Sequence, residues 1–215
     1  MVLLGSGAER AISDVVLTRY GCYLLAQNGD PRKEPVAFAQ TYFAVQTRRQ
    51  ELIETRLLET DRVRARHRLV ESEKDLSAVI FERVGDEKSF ARIRSKGDCA
   101  LFGGLTTKQM KERMGTPKTR PLADFLPTVT IKAKDFANEM TVHNTKGRNL
   151  CSEAAIAKEH VDNNTQVRGA MAARGIVPES LAAAEDLKKV ARRLAKETEK
   201  LTQGDGLPTE VEEES

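Results

Sequence analysis

Apolar positions recur at helical spacing along most of the chain. Ala11, Ile12, Val15, Val16, Tyr20, Tyr23 and Leu24 follow Ser6-Gly7-Ala8-Glu9, a segment of capping-box form, which predicts a helix opening there. Asn28-Gly29-Asp30-Pro31 ends it, with Gly29 able to take the left-handed conformation after the last turn. A second helix is expected from near Pro35. Residues 36–84 then contain no Gly or Pro. One helix over that run would span roughly 70 Å, too long for a compact domain to bury, so a bend or a division near Glu59-Thr60-Asp61 is expected. Leu52, Ile53, Leu57, Leu69, Leu76 and Ile80 form an irregular stripe along it, not clean heptads.

Gly85 stops this run, and a short helix around Glu87–Ile93 is expected before Gly97. Thr106-Thr107-Lys108-Gln109 repeats the capping-box pattern and opens a helix running to Gly115. Pro117 and Pro121 bracket a turn. Leu122 to His143 reads as helical, with Pro127 either kinking it or splitting off the first turn. Asn144 to Gly147 reads as a loop, Ser152–Arg174 as a helix closed by Gly175, and Pro178–Leu201 as a final helix with Leu187, Val190, Leu194 and Leu201 on one side. Thr128-Val129-Thr130-Ile131 has β preference but is too short to anchor a sheet. The fold class is therefore mainly α: a multi-helix assembly with a long charged central helix or helix pair, and an acidic tail over 202–215 expected to be disordered.

Composition supports that class. The 215 residues are 31% charged and only 5% aromatic, with no Trp, which argues against aromatic-rich sandwiches and barrels. No apolar run approaches the ~20 residues needed to cross a bilayer. Met1-Val2-Leu3-Leu4-Gly5 is too short for a signal core, so a cytoplasmic protein without a membrane role is expected. Cys22, Cys99 and Cys151 are odd in number and widely spread, as reduced thiols would be. Net charge is +3, and removing the five carboxylates of 202–215 leaves +8 on residues 1–201. That tail is a solubilising end, a ligand for a basic partner, or a shield for the protein's own basic surface.

Catalytic signatures are missing: there is no P-loop, G-x-S-x-G, H-E-x-x-H or dinucleotide fingerprint. His67, His143 and His160 lie far apart, so no metal set and no cofactor are expected. The histidines read as surface or capping groups, and Cys22 and Cys99 as small buried hydrophobes. Gly103-Gly104 reads as a turn rather than a phosphate cradle. Basic clusters are the better candidates. Arg48, Arg49 and Gln50 follow the aromatic pair Tyr42-Phe43 and suit phosphates and base edges, unless the rings are core and the arginines pair with Glu51 and Glu54. Lys108, Lys111, Arg113, Lys118 and Arg120 face only Glu112, an excess of four positive charges over residues 108–120. Arg62, Arg64, Arg66 and Arg68 spread around the helix among acidic neighbours and read as a solvated face.

Two blocks carry a family resemblance: Leu17-Thr18-Arg19-Tyr20-Gly21-Cys22-Tyr23-Leu24-Leu25-Ala26-Gln27-Asn28-Gly29-Asp30-Pro31 and Gln40-Thr41-Tyr42-Phe43-Ala44-Val45-Gln46-Thr47-Arg48-Arg49-Gln50-Glu51-Leu52. They resemble the bacterial DNA-damage-inducible protein D family. Leu101-Phe102-Gly103-Gly104-Leu105, Val161-Asp162-Asn163-Asn164 and Arg174-Gly175-Ile176-Val177-Pro178-Glu179 extend the likeness over roughly residues 5 to 200. The resemblance implies a cytoplasmic protein of the SOS response, linked to recombinational repair, with no assigned catalytic chemistry. It also implies a BRO-type N-terminal domain, associated with DNA binding. Family members normally begin with a strand-containing half of that domain before the segment matching Ser6, so a remnant of it over 1–58 (a shortened version, a fragment or the product of a misplaced start) is expected, followed by a helical region over 59–201. The leading expectation is a non-enzymatic protein that binds DNA or a recombinase–DNA filament. The rival is a helical interaction scaffold, a homodimer, without nucleic-acid contact.

Overall fold

The computed structural model describes residues 2–3, 9–10 and 15–202; residues 1, 4–8, 11–14 and 203–215 lie outside the described residues. The mainly-α expectation holds. Among the described residues, strand is confined to Val2–Leu3 and Glu9–Arg10, an antiparallel pair. Glu9 therefore stands in a strand rather than in a helical first turn, while Ser6-Gly7-Ala8 is outside the described residues. The expected acidic tail also lies outside them from residue 203 onwards. The chain divides into two compact units, Met1–Thr55 and Arg56–Ser215.

In the first unit, helix α1 spans Arg19–Asn28 and is capped by Thr18, whose hydroxyl accepts the Gly21 N–H at 3.1 Å. The helix starts here because Thr18 supplies the acceptor that the orphaned first-turn amides need. Gly29 ends α1 with φ −82°, not in the left-handed region. Its role is room: a Cβ would sit 2.8 Å from Val36 Cγ1. Helix α2, Glu34–Val84, packs on α1 through Tyr23 and Phe43, and Gln40 donates to the Ala26 carbonyl at 2.8 Å.

The expected division of the 36–84 run does not occur, because α2 is one helix. Glu59 and Asp61 do not cap a new helix; their carboxylates hold Arg193 and Lys132 at 2.5 and 2.8 Å. Within the second unit, α2 buries Arg62, Ala65, Leu69, Ser72, Leu76 and Val79, a regular 3-4 stripe. Two polar members hide that stripe from a hydrophobicity reading. Arg62 is 8% exposed, and its guanidinium donates to three backbone carbonyls: Leu126 at 3.0 Å, Asp124 at 2.7 Å and Glu185 at 2.7 Å. Ser72 is bonded by Asn138.

Helices α3 (Ser89–Leu101), α4 (Thr107–Arg113), α5 (Thr128–Gly147) and α6 (Glu153–Ala172) complete this core. Gly85 closes α2 with φ +73°, a conformation that favours glycine. Pro127 splits a short 3-10 turn, Leu122–Phe125, from α5, whose first turn is the β-preferring Thr128–Ile131 stretch. Burial of Thr130 and Ile131 overrides their local preference. Helix α5 continues through the expected 144–147 loop, where Asn144 donates to Glu159 at 2.6 Å. Helix α7 spans only Leu187–Thr202. The alanines before it stay extended after a single 3-10 turn at Pro178–Ser180, since the Ala184 N–H donates to the Phe125 carbonyl at 2.8 Å and Arg62 claims the Glu185 carbonyl.

Helix α3 does not end before Gly97 but runs through it. A Cβ there would lie 2.3 Å from the His160 ring, so glycine lets α3 and α6 touch. His160 is a core residue, 3% exposed, contrary to the surface role expected of the histidines. Thr141 donates its one hydroxyl proton to Ala137 O at 2.7 Å, so His160 Nδ1–H must be the donor in its 2.9 Å bond to Thr141. Nε2 is left to accept from Asn164 at 3.3 Å. Beside it, buried Lys134 and Asp98 pair at 2.5 Å, and Thr107 donates to the second carboxylate oxygen. Cys22 is exposed and Cys99 half-buried, so neither is the buried hydrophobe expected.

Burial, with a smaller contribution from Lys134, depresses the His160 pKa to about 4, and Asp98 opposes the shift. The unfolded chain therefore binds the extra proton first, and stability falls as pH drops below 6.5. Urea unfolding should show a loss of about 2 kcal/mol between pH 7 and pH 5. Carboxylates held low, such as Glu153 at about 2, act only below pH 4.5. A His160→Gln variant should flatten the slope between pH 7 and 5; an unchanged slope would contradict the assignment.

Candidate nucleic-acid interface

The sequence-selected cations fall into both units. Arg48 lies on α2 in the first unit, 69% exposed, paired with Glu51 at 3.0 Å. Gln50 bonds Glu54 at 2.9 Å, and Arg49 is half-buried without an ion pair among the described residues. The alternative of pairing with these acids is thus realised for one arginine, Arg48, while Tyr42 is exposed and Phe43 half-buried rather than core. Neither Arg48 nor Gln50 is locked, since exposed pairs of this kind are worth ~0–1 kcal/mol.

The second set lies on α4 and the turn after it. Thr106 and Gln109 form both arms of the expected capping box, and Gly115 reverses the chain at φ +63°. Lys111 donates to the Lys118 carbonyl at 2.9 Å, which ties the turn back to the helix. Lys108, Arg113 and Lys118 are exposed and have no acidic partner among the described residues. Arg120 differs. It is 22% exposed and bonds Asp124 and Asp186, each at 2.8 Å. Hydrogen bonding by Arg120 holds the Asp186 carboxyl below its ordinary pKa. Its charge is answered within the protein, so Arg120 leaves the set of candidate phosphate contacts and becomes a clamp between the basic turn and the start of α7.

Beyond that clamp, helix α7 carries a further set of cations. Helix α7 turns Leu187 and Val190 inward. On the opposite side, at helical spacing, stand Lys188, Lys189, Arg192, Lys196 and Lys200, all exposed and without an ion pair among the described residues. Arg193, on the flank, holds Glu59 at 2.5 Å and Glu185 at 2.8 Å, while Arg56 bonds Thr198 at 2.8 Å. The readable signal was the i, i+4, i+8 placement of Lys188, Arg192 and Lys196. It is masked locally by Glu185, Asp186, Glu197 and Glu199.

Other clefts suit a polyanion less well. A cavity of about 640 Å³ beside α2 and α5 is lined by Glu71, Asp75, Asp135 and Glu139 along with Arg68 and Lys146. Gly103 and Gly104 have φ +61° and +95° and form a turn; a Cβ on Gly103 would meet Glu179 and Arg168. Among the described residues, no three His, Cys, Asp or Glu side chains are placed to hold a metal ion, and no helix is long and apolar enough to cross a membrane.

Residues 58–190 match the family model described as the DinD C-terminal domain. Over 207 residues the chain is 35% identical to DNA damage-inducible protein D of Escherichia coli (strain K12), covering 93% of this chain and 76% of that protein.

If Arg120 is a clamp, removing it takes away the guanidinium that bridges two largely buried carboxylates, leaving Asp124 with Arg66 alone and Asp186 with the Lys188 N–H alone. Arg120→Met should lower the urea midpoint with an unchanged slope. Lys118→Met should change unfolding free energy by less than ~0.5 kcal/mol.

Proposed function

The chain belongs to the DNA damage-inducible protein D family, and we propose that it serves the DNA-damage response without catalysis, by binding DNA or a recombinase–DNA filament through basic helical surfaces. One observation supports this reading: the second unit pairs its buried and half-buried cations internally, yet the outer face of α7 carries five cations against Glu199, and Lys108, Arg113 and Lys118 have no acidic partner among the described residues. Lys188, Arg192 and Lys196 succeed one another every ~6 Å along the helix axis. That is close to twice the ~3.4 Å phosphate repeat of one strand. Lysine and arginine on such a row would replace condensed counterions, and occupancy of the strand would be the whole mechanism. Arg48, Arg49 and Gln50 in the first unit add a smaller patch beside exposed Tyr42, where an unstacked base can lie on a ring. In this reading the first unit belongs to a BRO-type domain, and the protein works in the cytoplasm.

A second reading rests on α2. Phe38, Tyr42, Val45, Leu52 and Ile53 are 43–71% exposed and share one face, which suits a helical scaffold that dimerises and ignores nucleic acid. Light scattering with and without oligonucleotide separates the two readings.

Fluorescence anisotropy with labelled single- and double-stranded oligonucleotides should show binding at micromolar protein in low salt. The triple variant Lys188→Gln, Arg192→Gln, Lys196→Gln should weaken it at least about tenfold, ~1.4 kcal/mol, with an unchanged far-UV circular dichroism spectrum. No binding at micromolar protein in low salt would overturn the reading.

A further inference from the structure

We infer that the cleft between α1 and the first part of α2 takes unstacked nucleobases of a single nucleic-acid strand. This rests on the function proposed above and names which part of the polyanion the first unit holds. The two helices are pinned together at one end, where Gln40 donates to the Ala26 carbonyl at 2.8 Å and Gly29 leaves room for Val36. From that end towards Arg19 and Glu54, two adjoining hollows of about 630 and 860 Å³ lie between them. Each is within the ~300–1,000 Å³ typical of clefts that hold small organic molecules. Every residue lining them belongs to the first unit.

The walls suit a base better than a phosphate. Tyr23 and Phe43 line both hollows and meet edge to face, with ring centroids 5.3 Å apart. Tyr20 stacks on Tyr23 at 6.5 Å and is 68% exposed, so its ring is open to a further planar group. Beside the rings, the Gln46 carboxamide and the Thr47 hydroxyl have no hydrogen-bond partner among the described residues. Together they offer donors and acceptors, which the edge of an unpaired base can meet while its face lies on a ring. The charges of the lining cancel, Arg19 and Arg48 against Glu51 and Glu54. Arg48 is held by Glu51, and Arg19 lies over the Tyr42 ring. A lining without net charge offers a phosphate little, whereas every base has a π face. Bases within a duplex are stacked on both sides and paired at their edges, so the cleft selects single strands.

Three strands of equal length, each given to the full-length protein, separate this inference from the function it rests on. They are oligothymidylate, an abasic strand with the same backbone charge, and a thymidine methylphosphonate strand with bases and no backbone charge. Tyr20, Tyr23 and Tyr42 are the only tyrosines and Trp is absent, so intrinsic emission reports on the first unit alone. The two base-bearing strands should quench it and the abasic strand should not. Quenching by the methylphosphonate strand should change little between about 50 and 200 mM salt. In anisotropy, oligothymidylate should bind about five- to tenfold more tightly than the abasic strand. Tyr20→Ala should remove that margin and Tyr20→Phe should keep it, both with the parent's far-UV circular dichroism spectrum. Equal affinity for oligothymidylate and the abasic strand, without quenching by either base-bearing strand, overturns the cleft and leaves the cationic surfaces standing. Quenching by the base-bearing strands without any binding of the abasic strand supports the cleft and overturns the counterion mechanism. No binding of any strand overturns both.

Discussion

Charge taken out of water has to be answered inside the protein, and this constraint organises the second unit. Arg62, Asp98 and Lys134 are each less than a tenth exposed. An ionised group held that deep is tolerated only when its hydrogen-bonding capacity is filled. Arg62 meets the requirement with three carbonyls from two separate segments, which fixes the 3-10 turn before α5 and the extended stretch before α7 against α2. Lys134 and Asp98 meet it with each other and with Thr107, which joins α5, α3 and α4. A buried pair is weak evidence for added stability, but it is strong evidence for a fixed register, because any slip strands a charge. Neutral His160 against Gly97 sets the approach of α6 to α3 in the same way.

The same constraint sorts the remaining cations. Arg66, Arg120 and Arg193 are partly buried and each holds one or two carboxylates. Lys188, Lys189, Arg192, Lys196, Lys108, Arg113 and Lys118 stand in water, where a counter-charge is not required. Arginine's forked donors suit the first task, since one guanidinium can bridge two acids. The basic surface is therefore not a uniform coat. It consists of the cations that packing did not use, held in place by those it did.

Much of this was legible in the residues. Thr106 with Gln109, Ser152, Gly85, Gly175 and Pro127 act where local chemistry places them, because caps and breakers depend on a few neighbouring atoms. Other features depend on distant partners and could not be read locally. Gly97 looked like a terminator and is a contact point for His160. Leu181 to Asp186 looked helical and is drawn out by bonds to Phe125 and from Arg62. The 3-4 stripe of α2 was obscured because its members include Arg62 and Ser72. At the candidate interface, Lys108, Lys111, Arg113 and Lys118 were legible as a dense run, whereas Arg120 was not separable from them without Asp124 and Asp186. The α7 face was not legible as a basic run because its cations alternate with acids in sequence and gather on one side, around Glu199, only once the helix is wound.

The central claim is that a cationic helix face works by displacing counterions from a polyanion. The dependence of the observed association constant on salt, for single-stranded DNA between 50 and 200 mM, tests it most directly. Four to six contacts predict a log–log slope of about −3 to −4. A slope near zero, with binding retained, would contradict the account.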